Sequence, residues 1–336
     1  MPEETKLPKT LHEAVIYFAD QERAHDFMVS IRWPDGVVRC PRCHHKDVTY
    51  ISTRRLWKCK TCTTNKQFSV KVGTVMEDSA IGLDKWLCAF WLIANAKNGI
   101  SSYELHRSLG VTQKTAWFML HRIRLAMQDG SFVNFSGQVE ADETYIGARA
   151  RFMHKNKRTG VGHAGLKKTP VQGVLERATE DKPSRVRLKV LKTNRKTEVQ
   201  ELVRNLVTKS SQVFTDSLRS YDGLDDDYDH LVVDHLETYA KGHVHTNGLE
   251  NFWSLFKRAL KGTYVNVEPF HLFRYCDEQA FRFNERKDND QGRFLKALTG
   301  YVGKRLKYAK LIAAEGGDGP CPAGAWYAGG RAVVEQ

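Results

Sequence analysis

The sequence has no apolar run long enough to cross a bilayer. The longest, Trp86–Ala94, is nine residues, where a spanning helix needs about 20. The first residues, Met1-Pro-Glu-Glu-Thr-Lys6, lack the charged-then-apolar order of a secretory signal, so the expected compartment is the cytoplasm. A disulfide framework is also missing. Of seven cysteines, four pair in two C-x2-C knuckles, and Cys88, Cys276 and Cys321 stand alone. Cys88 and Cys276 lie in apolar helical context and read as small core residues. No internal repeat is present. Acidic side chains are in deficit: 39 Asp and Glu face 52 Lys and Arg, a formal net charge of +13. A surplus that large favours a polyanionic partner, although solubility alone also accounts for a basic surface. At 336 residues the chain has length for two or three domains with a sizeable core.

What is present begins with the paired cysteines. Cys40-Pro-Arg-Cys43, fifteen intervening residues and Cys59-Lys-Thr-Cys62 make C-x2-C-x15-C-x2-C. Two residues between cysteines let one tight turn aim both sulfurs at one ion, and two facing turns complete a closed S4 site. Four protein ligands leave no open position, so the expected ion is a structural Zn2+, with iron as the alternative. Bound as thiolates, the set lowers the net charge by about two. Trp57 and Phe68 are the expected apolar packing of a small ribbon over residues 33–72, after two short helices in 1–32. From Arg32 to Lys66 the chain carries nine Lys and Arg against Asp35 and Asp47. Arg39, Arg42, Arg54, Arg55 and Lys58 are DNA-contact candidates there; the alternative is a solvated basic face.

Residues 73–130 read as a helix-turn-helix-like module: Leu83–Ala96, Ser101–Leu109, a turn at Gly110, then Thr112–Met127. Tyr103, Leu105 and Leu109 are expected inward, with Trp117, Leu120, Ile123 and Leu125. Gln113, Lys114 and Arg122 on the second helix are candidates to reach DNA, with plain helical packing as the alternative. Trp86, Trp91 and Trp117 read as core.

From residue 137 the period changes. Strand-like segments (139–146, 171–176, 185–191, 213–215, 230–234) interleave with helical ones (197–207, 248–260, 269–284), which fits an α/β layered domain of ribonuclease-H type over 137–290. Asp142 lies in the first strand. Asp216 ends another, where ligands bind in open α/β sheets. Glu250 opens an amphipathic helix. Two strand aspartates and a helix glutamate are the hard oxygen donors that a pair of Mg2+ or Mn2+ ions needs for phosphoryl transfer. Strand alternation puts Glu140 on the Asp142 face and Glu143 on the other, leaving Glu140 as the secondary candidate. Lys257 lies two turns beyond Glu250, positioned with Lys261 to grip a phosphate. Arg258 joins them as a DNA-contact candidate, and Asn247 could support or replace Glu250. His243 and His245 read as helix-start hydrogen-bonding groups before catalytic ones. Trp253 reads as core, with stacking on a displaced base as the alternative.

These segments resemble the bacterial insertion-sequence transposases of the ISXO type, which join a zinc ribbon to a DDE domain of ribonuclease-H type. The resemblance rests on Cys40–Cys62, Val139–Gly147, Thr215–Tyr221, His245–Arg258 and Phe281–Asn284, and covers about residues 15–290. It implies that Asp142, Asp216 and Glu250 are the metal-binding triad and Lys257 its basic companion. Where relatives often show two glycines this chain has Gly147-Ala148, a local departure that leaves the triad untouched. Residues 291–336, basic and then rich in Gly and Ala, read as a C-terminal tail, and the part after Leu311 has no counterpart in the family.

The expected fold class is therefore α+β multidomain. The expected activity is binding of an element's terminal inverted repeats, metal-dependent 3′-end cleavage and strand transfer. Double-stranded DNA is the expected partner, a homodimer or higher oligomer the expected assembly, and the nucleoid the expected place. The alternatives are a nuclease that cuts without joining and a DNA-binding regulator with an inactive catalytic domain.

Overall fold

Asp20 ends one helix and begins the next. Its carboxylate accepts from Glu22 N and Arg23 N, satisfying amide donors that a helix start otherwise leaves open. It thereby separates α1 (Leu11–Ala19) from α2 (Gln21–Arg32). The structure is a computed structural model and describes residues 7–128, 133–147, 168–233, 244–265 and 267–312. Its chain divides into two compact units, Met1–Asp129 with Asp288–Gly317, and Gly130–Lys287 with Asp318–Gln336.

In the first unit, β1 (Val48–Ile51), β2 (Leu56–Cys59) and β3 (Gln67–Phe68) form an antiparallel ribbon. Trp57 packs on Phe68 across it, with ring centroids 5.8 Å apart. Three helices follow: α3 (Leu83–Asn95), α4 (Ser102–Leu109) and α5 (Gln113–Ala126). Ser101 and Glu104 form a reciprocal capping box, Gly110 stops α4 at φ 60°, and Thr112 accepts from Thr115 N to start α5. Tyr103, expected inward, is instead 62% exposed. It precedes Leu105 by two residues, which on a helix is the far side.

The second half of the chain was expected as strands and helices up to residue 290 and a tail from 291. The start of that tail is structured and belongs to the first unit. Asn289 caps α9 (Asp290–Thr299) by accepting from Gly292 N. Phe294, Ala297 and Leu298 then form one buried face. The Phe294 ring lies 5.0 Å from Trp91 and 5.8 Å from Phe18. Beyond it, Val75 N donates to Tyr301 O and Gly303 N to Gly73 O, and α10 (Tyr308–Leu311) ends the described chain. Gly/Lys composition concealed a helix whose cap and apolar spacing are both in the sequence. Residues beyond 312, with Cys321, lie outside the described residues, as do His243 and residues 148–167.

The second unit is a five-stranded mixed sheet. Its strands are β4 (Gln138–Ile146), β5 (Thr169–Glu176), β6 (Arg185–Val190), β7 (Gln212–Asp216) and β8 (Asp229–Val233), in spatial order β6-β5-β4-β7-β8. The first three pair antiparallel, and β7 joins β4 and β8 in parallel. One face packs on α6 (Lys196–Leu206), whose Val199, Leu202, Val203 and Leu206 meet Val139, Ala141 and Val213. The other packs on α7 (Asn247–Ala259) and α8 (Leu272–Asn284), through Leu249, Phe252, Trp253, Phe256 and Tyr275. Strand β5 is covered on both faces, so Pro170–Leu175 are all buried, the polar Gln172 among them.

Candidate active site and cysteine centre

The knuckles fold as their spacing predicts. Cys40 N donates to His45 O and His44 N to Cys40 O, closing a turn in which His44 takes φ 60°. Cys59 N donates to Lys66 O across the second. All four sulfurs lie within 4.8 Å of one another, with Cys40–Cys62 at 3.7 Å and Cys43–Cys59 at 3.5 Å. A tetrahedron with zinc–sulfur bonds of 2.3 Å has edges of about 3.8 Å, so the set fits one structural Zn2+. Among the described residues it is the one group of potential ligands gathered this tightly. A backbone donor from Cys62 holds the Cys59 thiol down to about 6. Cys43 first, then burial, push Cys62 up to about 12. Four thiolates this close require a cation between them.

The candidate carboxylates come from three separate elements. Asp142 is at the middle of β4, and Asp216 ends the neighbouring parallel strand β7. Their register pairs Glu140 with Phe214, so two further steps bring Asp142 level with Asp216. Asp142 accepts twice, from its neighbour Glu143 N at 2.8 Å and from Trp253 Nε1 at 2.9 Å. Burial and then the charge of Asp216 push its carboxyl up to about 6; the two donors oppose the rise and Glu250 adds to it. Glu250 sits exposed in the first turn of α7, after the exposed Asn247. Lys257 is half-buried two turns on, while Arg258 and Lys261 are exposed.

Glu140 and Glu143 have other partners. Glu140, 1% exposed, accepts from Arg177 Nε at 2.8 Å and from Leu249 N at 2.9 Å. Arg177 also bonds His245 Nδ1 at 2.9 Å and covers the Phe214 ring at 4.0 Å. A buried ion pair thus ties β4 to the start of α7 through one of its open amide donors. On the opposite face Glu143 accepts from the Tyr221 hydroxyl. Burial pushes Glu143 up to about 8, with Asp142 and Asp216 adding to the rise and Tyr221 opposing it. Sequence reasoning missed Arg177, because nothing local marks a partner 37 residues away. Trp253 is 4% exposed, a position that leaves no face for a displaced base.

The basic candidates separate by environment. Arg54, Lys58 and Lys114 are exposed, with the Lys114 ammonium 4.7 Å above Tyr308. Arg39 pairs with Asp35, Arg55 with Glu22, and Arg42 donates to Asn65 O and Gln67 O. Gln113 donates to Ser102 Oγ. Arg122, expected to reach DNA, is buried. Its guanidinium donates to Glu77 O and Leu306 O and stacks 4.1 Å from Phe118. It lies on the inward side of α5, one residue before the buried Ile123.

Residues 134–284 match the family model of the ISXO2-like transposase domain. Residues 19–65 match that of the transposase zinc-ribbon domain. An uncharacterized transposase-like protein of Haemophilus influenzae is 35% identical over 98 residues, 29% of this chain and 79% of that protein. This chain belongs to the ISXO2-like insertion-sequence transposases. An uncharacterized protein in transposable element ISH50 of Halobacterium salinarum is 29% identical to the transposase over 257 residues, 72% of this chain and 84% of that protein. The ribbon match ends just past Cys62, and the domain match runs from before β4 to the last residue of α8. It encloses Asp142, Asp216, Glu250 and Lys257. No helix among the described residues is long and apolar enough to cross a membrane.

Proposed function

We propose that this transposase cuts the phosphodiester at the 3′ ends of its element and joins the freed ends to target DNA. The observation that carries this reading is the parallel register of β4 and β7, which brings Asp142 level with Asp216, together with the Trp253–Asp142 hydrogen bond that sets the first turn of α7, with Glu250, beside them. Burial first, then the charges of Asp216 and Glu250, raise the Asp142 carboxyl. Carboxylates so crowded take a proton or a cation, and three hard oxygen donors suit Mg2+ or Mn2+. When bound, two such ions would activate the attacking hydroxyl and stabilise the departing 3′-oxygen. The strand order, with an antiparallel triplet extended by two parallel strands, supports a ribonuclease-H-like fold for this domain.

The chain's own groups do the rest. Asp142 and Asp216 hold the floor of the site from the sheet, and Glu250 faces them from α7. Lys257 holds a phosphate oxygen beside the scissile bond. In the first step water attacks phosphorus, the P–O3′ bond breaks, and a 3′-hydroxyl and a 5′-phosphate remain. In the second that 3′-hydroxyl attacks a target phosphodiester, forming one P–O bond as another breaks, with no covalent enzyme intermediate. Ribbon residues Arg39, Arg42, Arg54, Arg55 and Lys58, with Gln113 and Lys114 on α5, contact the terminal repeats, and Arg258 and Lys261 contact the DNA near the chemistry. Two ends handled together call for a dimer or higher oligomer on DNA, at the nucleoid.

The test mixes purified protein with labelled terminal DNA, a target plasmid and Mg2+ or Mn2+, beside Asp216→Asn. Joined product lost in the variant, with DNA binding retained, is the expected result. Near-normal joining by the variant overturns the assignment. Cut fragments without joined product reduce the reading to a nuclease.

A further inference from the structure

Two glycines face each other's elements where α7 meets the sheet. Gly173 on β5 is the cross-strand partner of Asp142 on β4, and opposed residues of an antiparallel pair project to the same face. A Cβ built on Gly173 would stand 2.8 Å from Trp253 Cζ2 and 2.9 Å from Leu249 Cδ2, closer than packed carbons approach. The indole occupies the space where a side chain beside Asp142 would have been, and from there Nε1 reaches the carboxylate at 2.9 Å. Gly248 on α7 makes the reciprocal opening. A Cβ there would stand 2.8 Å from Glu140 Oε2, the oxygen that accepts from Leu249 N. Strand glycine admits a helix side chain, and helix glycine admits a strand side chain. A glycine inside a strand marks close approach of another group; here that group is the helix carrying Glu250.

We propose that Gly173 and Gly248 are positioning residues that set how closely α7 lies on the sheet, and that the Trp253–Asp142 hydrogen bond they permit fixes Asp142 relative to Glu250. Glu250 stands three residues before Trp253 on the same helix. Any lift or rotation of that turn therefore moves Glu250 away from Asp142. Leu249 and Trp253 seat the helix by apolar contact, whereas the indole N–H adds direction, fixing Asp142 Oδ2 while Glu143 N fixes Oδ1. Groups that orient metal-binding carboxylates in this way typically control affinity and activity by about 10–100-fold. The inference rests on the reading that Asp142, Asp216 and Glu250 bind divalent cations.

The experiment measures Mn2+ affinity by electron paramagnetic resonance on the zinc-loaded full chain bound to its terminal DNA. Thermal melting and zinc content are recorded alongside. Trp253→Phe keeps the ring and removes only the N–H; Gly173→Ala lifts the ring; the double variant carries both. Asp142→Asn tests the underlying reading. The expected result is loss of the Mn2+ site in Asp142→Asn, and about 10–100-fold weaker binding in each of the two single variants. The double variant should be no weaker than the worse single one, because both act through one bond. Unchanged Mn2+ binding in Trp253→Phe, with Asp142→Asn defective, overturns the positioning role and leaves the reading of the site standing. Unchanged binding in Asp142→Asn overturns the metal reading and the positioning role with it. If Gly173→Ala fails to fold, Trp253→Phe alone decides.

Discussion

Four sulfurs meet within the 23 residues from Cys40 to Cys62, whereas the three carboxylates come from positions 142, 216 and 250. The first site is closed by two local turns whose backbone hydrogen bonds all lie inside the ribbon. The second, as proposed, forms only when β4, β7 and α7 are docked. A chelating set of local turns depends on its ion to hold the turns together. A set assembled from packed elements depends on the packing, and the ion is secondary to the fold. The sulfurs accordingly stand at near-tetrahedral separations, while Asp142 is raised to about 6 by burial first and then by the charge of Asp216.

That contrast can be broken experimentally. The largest effect should follow chelation of zinc. Structural sites of this kind contribute on the order of 10 kcal/mol, so amide exchange should show β1–β3 losing protection, whereas withholding Mg2+ should shift melting by at most a few kcal/mol. Protection that survives chelation would remove the contrast at its base. Next, Glu140→Ala removes the charge partner of the largely buried Arg177 and the acceptor of Leu249 N, and should cost about 3–5 kcal/mol in denaturant unfolding. A cost under about 1 kcal/mol would mean the pair does not anchor α7.

A smaller effect concerns Glu143. Its carboxyl is raised from 4.5 to about 8, so the folded state keeps a proton that the unfolded chain has released. The folded state is favoured fully below pH 4.5. It should lose a few kcal/mol as pH rises through about 8, then level off. Glu143→Gln, permanently neutral, should flatten that slope when melting is followed against pH without divalent cations. An unchanged slope would place its origin elsewhere. Smallest is the separation of two basic residues. Arg122→Ala should lower stability by about 2 kcal/mol, having lost buried bonds to Glu77 O and Leu306 O. Lys58→Ala should leave stability within about 0.5 kcal/mol and reduce the salt slope of DNA binding by about 1. The reverse pattern would return Arg122 to the DNA surface.

Legibility followed the same divide. The knuckles and the Gly110 stop are local devices, and each stands where its residues place it. Helix α9 was equally local, with Asn289 as its cap and Phe294 as its anchor, but Gly/Lys composition masked the signal. Tyr103 and Arg122 went astray because a helix face is set by its neighbours as well as by its period. Strand periodicity placed Glu140 and Asp142 on one face, and both do meet α7. It had no means to distinguish the carboxylate that anchors a helix from the one left partly open.

By itself, then, the sequence determined the cysteine centre, the strand and helix pattern of the second unit and the residue types offered for chemistry, because those rest on spacing along the chain. The tertiary structure decided that Arg177 neutralises Glu140, that Trp253 reaches Asp142 across Gly173, and that Tyr221 engages Glu143. Those pairings join residues 37 to 111 positions apart. At such separations only packing, and the cost of burying a charge without a partner, chooses who meets whom.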